Sequence, residues 1–515
     1  MTQRQSPTRL IGREPLSIDE VLRIARGAAL PALDPDPVFR DRLRRSAAHV
    51  RRSVERGDRV YGVTTGFGDS CENDVGEGEA AAMAANLVRF HGCGTGEPLE
   101  DVASAAVVVV RLATLAGGHS GVRVELLERL CALLAHRILP VIPSEGSVGA
   151  SGDLTPLSYL AAVVMGEREV RFRGEVVPAA RALAAAGLAP LPLEPKESLA
   201  LMNGTSVMAA LGCLAFDRAR RLARASATVT AMASDVLLGE PGHFDARIFA
   251  WKPHPGQALC ARWIREHLET GPGARPPGAR VQDRYSIRCA PHVIGVLLDA
   301  LPWVRRTLEI EVNGASDNPL VDPDTGDVLH GGNFYGGHVA FAMDGLKAAV
   351  ASIADLLDRQ VALVCNPATS NGLPANLVRR TGPDRHAHHA FKAMQISASA
   401  LTAEALKLTM PAASFSRSTE CHNQDKVSMG TIAARDALRI LELSERVAAI
   451  GLLVACQAAD LRGPATCRPR TREVLAAVRE VVPPVDADRA MDVDIREVIA
   501  RLDDGRIPAG EAGEP

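Results

Sequence analysis

Long stretches with helical spacing and few breakers predict a mainly α protein: an elongated bundle of long helices with a smaller mixed region at its N-terminal end. Three observations carry this. Ala-rich helical patterns run over 204–238, 291–312, 337–364, 388–409 and 428–461, with few interruptions. The composition is 47% hydrophobic but only 3% aromatic, which suits small side chains between closely packed helices. A helix of about 30 residues is about 45 Å long, well beyond the average domain helix, so several of them demand an elongated bundle.

In chain order, residues 17–56 read as two amphipathic helices, the first opened by a capping box at Ser17-Ile18-Asp19-Glu20. Residues 57–78 break the pattern, and Tyr61-Gly62-Val63-Thr64-Thr65-Gly66-Phe67-Gly68 reads as a loop able to move. Helical spacing resumes at 79–90, 101–115 and 121–137, then Pro140 and Pro143 stop it. Alternation over 168–177, around Arg173-Gly174, predicts a small hairpin. The expected division is 1–200 for the N-terminal region, 201–482 for the long-helix bundle, and 483–515 for a C-terminal helix and fraying tail.

Composition narrows the function. A net charge of −3 offers no footprint for nucleic acid or anionic membrane. The start, Met1 to Leu16, has no apolar core and does not read as a signal peptide. The most apolar run, near 105–110, is closed by Arg111 and is far too short to span a bilayer. Ten cysteines without a Cys-x-x-Cys pair suit reduced thiols, so a cytoplasmic protein is expected.

One segment organises the chemistry: Gly146-Ser147-Val148-Gly149-Ala150-Ser151-Gly152-Asp153-Leu154-Thr155-Pro156-Leu157-Ser158. Three glycines in seven residues open turns closed to residues with a side chain. In such a bend the Gly152 nitrogen can approach the Ala150 carbonyl carbon. Ring closure and loss of two waters would then convert Ser151 into an exocyclic methylidene. The product is 3,5-dihydro-5-methylidene-imidazol-4-one (MIO), an electrophile made without an external cofactor.

This segment closely resembles the signature of the aromatic amino acid ammonia-lyases and aminomutases, and other segments resemble that family in the same order. The resemblance implies a histidine/phenylalanine ammonia-lyase-like fold and elimination of ammonia across Cα–Cβ of an α-amino acid. It also implies a homotetramer with shared active sites. Ala150, Ser151 and Gly152 match the MIO triplet, and Tyr61 matches the family's loop tyrosine, the implied base. A free phenol titrates near ~10, so this one needs positive potential or hydrogen bonds, which helix N-termini can supply. Gln282-Asp283-Arg284-Tyr285-Ser286-Ile287-Arg288 resembles another family segment. There Arg288 is the implied carboxylate anchor, and Tyr285 and Gln282 support ring and substrate. Asn203 matches a residue bonding the MIO carbonyl, Asn318 a carboxylate-side contact, and Phe334 a ring beside the prosthetic group.

Two further positions bear on the substrate. Phe90-His91 falls where the family reads the substrate's ring, and His91 suits a phenol hydroxyl or an imidazole. Gln424 stands where histidine lyases carry a Glu, which argues against histidine. The expectation is a tyrosine ammonia-lyase forming trans-p-coumarate. Tyrosine 2,3-aminomutase, phenylalanine ammonia-lyase and, last, histidine ammonia-lyase are the alternatives. No metal is expected: His386, His388 and His389 lack a matching carboxylate, and 322–327 lacks the bidentate Glu of a calcium loop.

Overall fold

A computed structural model describes residues 7–268 and 281–509. The first six residues, where the sequence opens without an apolar core, and the last six, the end of the expected fraying tail, lie outside the described residues. The protein is mainly α, as its periodicity predicts. Four helices dominate: Ser206–Val236, Ala290–Asn313, Gly337–Cys365 and Gly430–Arg462, of 31, 24, 29 and 33 residues. The pattern over 388–409 folds as Lys392–Lys407. The interior of these helices is built from Ala, Val, Leu and Ile at near-zero exposure.

The chain forms two compact units, each discontinuous in sequence. Unit 1 comprises residues 1–214, 305–344 and 411–435, and unit 2 comprises 215–304, 345–410 and 436–515. Unit 1 holds the small sheets. Thr8–Ile11 pairs in parallel with Leu30–Leu33, a strand lying where the spacing suggested only helix and connection. The helix Ile18–Ala25 begins at the expected capping box, with Ser17 and Glu20 bonded reciprocally. The expected hairpin is present as Glu169–Phe172 against Glu175–Pro178, extended by Leu139–Pro140.

By length and composition, residues Tyr285–Asn313 would suffice to cross a bilayer, although the most apolar run lies elsewhere. Half of that apolar window is buried inside the protein. All ten cysteines are free thiols.

Candidate active site

The bend at 146–153 is fixed from its C-terminal end. The Asp153 carboxylate is fully buried and accepts hydrogen bonds from the Val207 and Met208 amides at 3.0 and 2.9 Å. These amides belong to the first turn of Ser206–Val236, where the helix dipole favours negative charge. Ser147 Oγ donates to the same carboxylate at 3.1 Å, and the Thr431 hydroxyl donates as well. Burial pushes the Asp153 carboxyl up, while the bonds from Thr431, Met208, Ser147 and Val207 pull it down.

Backbone pairing then ties the bend to residues 203–204. The Asp153 amide donates to Gly204 O at 2.7 Å, and the Gly204 amide to Ser151 O at 3.3 Å. Gly152 has φ +72°, and a Cβ there would collide with the Gly204 carbonyl. Asn203, which caps the helix Glu197–Met202, donates through Nδ2 to Ser151 O at 2.7 Å. Gln424 Nε2 donates to Ser151 Oγ at 3.2 Å. Among the described residues, the buried Gly152 N–H donates no hydrogen bond and the Ala150 carbonyl accepts none. These are the two groups that ring closure requires, separated by Ser151 and free of competing partners among the described residues. The donor set therefore fits MIO.

Behind the bend lies a buried charged layer with no counterpart among the residues expected from sequence. Arg111 is fully buried and donates to the Ala200 carbonyl, to Asn203 O at 2.9 Å, and to Ser316 Oγ at 3.3 Å. Burial pushes its guanidinium down to about 10, opposed by Asp317 and Asp153. Lys196 and Asp317 form an equally buried pair at 2.5 Å, and Ser120 donates to the same carboxylate at 2.8 Å. The signal was present: an arginine inside a helix, directly after six apolar residues, must find several acceptors when it is buried.

Unit 1 also contains Tyr61, Phe90, His91, Asn318 and Phe334. The half-buried Tyr61 hydroxyl accepts from the Gly68 amide at 2.8 Å. Burial raises its titration above the ordinary value, the Gly68 amide lowers it, and Cys71 and Glu420 raise it further. Among the described residues, the Gly68 amide is the group that stabilises the ionised phenol. His91 ends the helix Glu77–Phe90, and its Nδ1 lies 3.0 Å from the Leu87 carbonyl oxygen. That carbonyl can only accept, so Nδ1 carries the proton and Nε2 is left as an acceptor. Burial lowers the His91 titration, the Leu87 bond partly opposing it, which keeps the ring neutral. Phe90 packs against His91 with ring centroids 4.3 Å apart and is 60% exposed. Asn318 N donates to Asn203 Oδ1 at 2.6 Å, and its side-chain oxygen accepts from Gly331 N at 2.8 Å. Phe334 is half-buried.

Gln282, Tyr285 and Arg288 belong to unit 2. The Arg288 guanidinium lies 4.7 Å from the Tyr285 ring centroid, and its Nε donates to Asp283 O at 3.1 Å. Tyr285 is 73% exposed.

The model of the aromatic amino acid lyase family matches residues 16–480. The chain is 40% identical to a histidine ammonia-lyase of Gloeobacter violaceus, over 96% of this chain and 95% of that one. Further curated relatives at 39–41% identity bear the same name. Among solved structures, the tyrosine aminomutase of Streptomyces globisporus superposes with a TM-score of 0.91 at 34% identity, covering 99% of this chain and 100% of that one. The histidine ammonia-lyase of Trypanosoma cruzi gives 0.88 at 33%, covering 97% and 94%.

These relatives overturn the expected tyrosine preference and p-coumarate product, since the curated relatives are histidine ammonia-lyases. The argument that misled was the one from Gln424. A neutral amide can donate to or accept from an imidazole as readily as from a phenol, so a Gln at this position does not exclude histidine.

Proposed function

Because the chain belongs to the aromatic amino acid lyase family of carbon–nitrogen lyases, we propose that its substrate is L-histidine and its products ammonia and the imidazole acrylate urocanate. Enzymes of this family carry MIO, and we read the group here as formed by the chain's own Ala150, Ser151 and Gly152. Once formed, it supplies an electrophile for the substrate's amine. The observation that carries the chemistry is the bend itself, with the Gly152 N–H and the Ala150 carbonyl unengaged and Asn203 and Gln424 fixed on Ser151.

The chain's residues then divide the remaining work. Tyr61 takes the β-proton at its hydroxyl oxygen, which must lose its own proton first. His91, neutral with Nε2 free to accept, receives the N–H of the substrate's imidazole. Phe334 packs beside the reacting carbons, Phe90 borders the ring pocket, and Asn318 orients the carboxylate side. Arg288 binds the carboxylate as a planar cation, with Gln282 and Tyr285 beside it.

In this reading Gln282, Tyr285 and Arg288 are contributed by a second copy of the chain in a homotetramer. The exposure of Tyr285 and of large apolar side chains on the long helices, Val296, Ile310 and Phe341 among them, supports assembly. Ten free thiols suit a reducing, cytoplasmic setting.

The test is a substrate panel of histidine, tyrosine and phenylalanine. Formation of the unsaturated acid is followed by ultraviolet absorbance, and any β-amino acid is separated by chromatography. Histidine is expected to be turned over fastest, with the unsaturated acid as product. Faster turnover of tyrosine, or a β-amino acid as main product, would overturn the reading.

A further inference from the structure

We propose that Glu420 is a positioning residue, a latch that holds the Tyr61 loop against the turn at 418–424. The observation that points to it is an unusual turn. Glu420, Cys421 and His422 have φ of 51°, 52° and 63°, three successive side-chain-bearing residues in the left-handed region. Such residues visit that region singly and at a cost, and a run of them persists only where the surroundings impose it. Here the surroundings are a closed network. Thr419 and Gln424 exchange backbone bonds of 3.0 and 3.2 Å, the Asn423 amide donates to Glu420 O at 2.9 Å, and the Ser418 hydroxyl lies 2.7 Å from His422 Nδ1.

The strained turn presents two side chains in two directions. Glu420 Oε1 accepts from the Asp69 amide at 2.9 Å, and its Oε2 accepts from Asn423 Nδ2 at 3.1 Å. The carboxylate lies against Gly68, filling the place a Cβ would take. The Gly68 amide, one residue earlier, holds the Tyr61 hydroxyl. Four residues along the turn, Gln424 holds Ser151 Oγ. One rigid turn therefore fixes the phenol and, until the ring forms, the serine that becomes the methylidene. Glu420 hydrogen-bonds to neither Tyr61 nor Ser151, and it positions the phenol through Asp69 and Gly68.

Charge adds a second effect. Among the described residues, the charges of Cys71 and Glu420 raise the titration of Tyr61, and the Gly68 amide lowers it. A carboxylate at 420 therefore fixes where the loop sits and delays loss of the phenolic proton. Only the assignment of Tyr61 as base rests on the proposed function, and the latch itself can be read without turnover.

The experiment compares the full-length wild type with Glu420→Ala and Glu420→Gln. Intact mass first establishes that each has lost two waters, so that ring formation is not the variable. Trypsin cleavage after Arg59, which flanks the loop, then reads loop release. The alanine variant, lacking the acceptor for Asp69 N, is expected to be cleaved about tenfold faster. Its kcat should fall by a similar factor. The glutamine variant keeps an acceptor oxygen and loses the charge. It should be cleaved at the wild-type rate, while its rising pH–rate limb moves to lower pH. Wild-type cleavage and an unmoved limb in both variants would overturn the latch. Failure of ring-bearing wild type to turn over histidine would sink the substrate reading alone, because the cleavage comparison still reports on Glu420.

Discussion

The side chain of Asn203 donates to the Ser151 carbonyl at 2.7 Å while accepting from the Asn318 amide at 2.6 Å. One buried amide thus registers the bend against the loop that carries Asn318. Replacing it with Ala removes both bonds at once. Asn203→Ala is expected to lower kcat about 10²-fold, the scale of losing one preorganised donor. Steady-state kinetics on material of verified mass checks this.

Ser151→Ala should abolish turnover and leave the circular dichroism spectrum and melting temperature near wild type. Gly152→Ala should also be inactive, because its Cβ would collide with the Gly204 carbonyl at a φ of +72°. Both should retain the unprocessed mass, two waters heavier than the matured chain. Near-full activity of either would remove the ring from the mechanism.

Burial holds the Tyr61 phenol above its ordinary range near ~10. A base with a raised pKa is in its proton-accepting form only at higher pH. The kcat/KM for histidine should therefore climb through the neutral range and continue into the alkaline one. Tyr61→Phe should remove both the activity and the climb. A wild-type plateau reached below pH ~8 would contradict the assignment.

His91→Phe removes the free Nε2 acceptor and leaves an apolar face. The kcat/KM for histidine should fall about 10²-fold, while that for phenylalanine should hold or rise. Unchanged selectivity would take His91 out of the account.

Arg111→Leu leaves the Ala200 and Asn203 carbonyls buried without their donor. The variant should lose about 3 kcal/mol of unfolding free energy, measured by urea titration. Its ring should also form incompletely, visible as a mixed mass spectrum.

Helical periodicity made the long helices legible, because runs such as 206–236 hold their spacing over many turns with few breakers. The four-residue strands at Thr8–Ile11 and Leu30–Leu33 were not, since so short a pair has no period to display and is made by pairing across the chain. The segment 146–158 pointed to the bend, while its bonds to residues 203–204 and Gln424 are long-range and appear only in the fold. Substrate choice is misread from one amide at 424, because a neutral amide can pair with an imidazole as well as with a phenol. Arg111 reads in the sequence as the end of an apolar run, and its acceptors come from two distant segments, 200–206 and Ser316.

The geometry at Gly152 and Gly204 exists only once 203–208 has docked on the bend, with Arg111 beneath it. If the electrophile arises from that arrangement alone, a nascent or misfolded chain carries plain Ala-Ser-Gly and nothing for stray amines or thiols to attack. Maturation then serves as a receipt for correct folding, and the reactive alkene is armed only inside a finished protein.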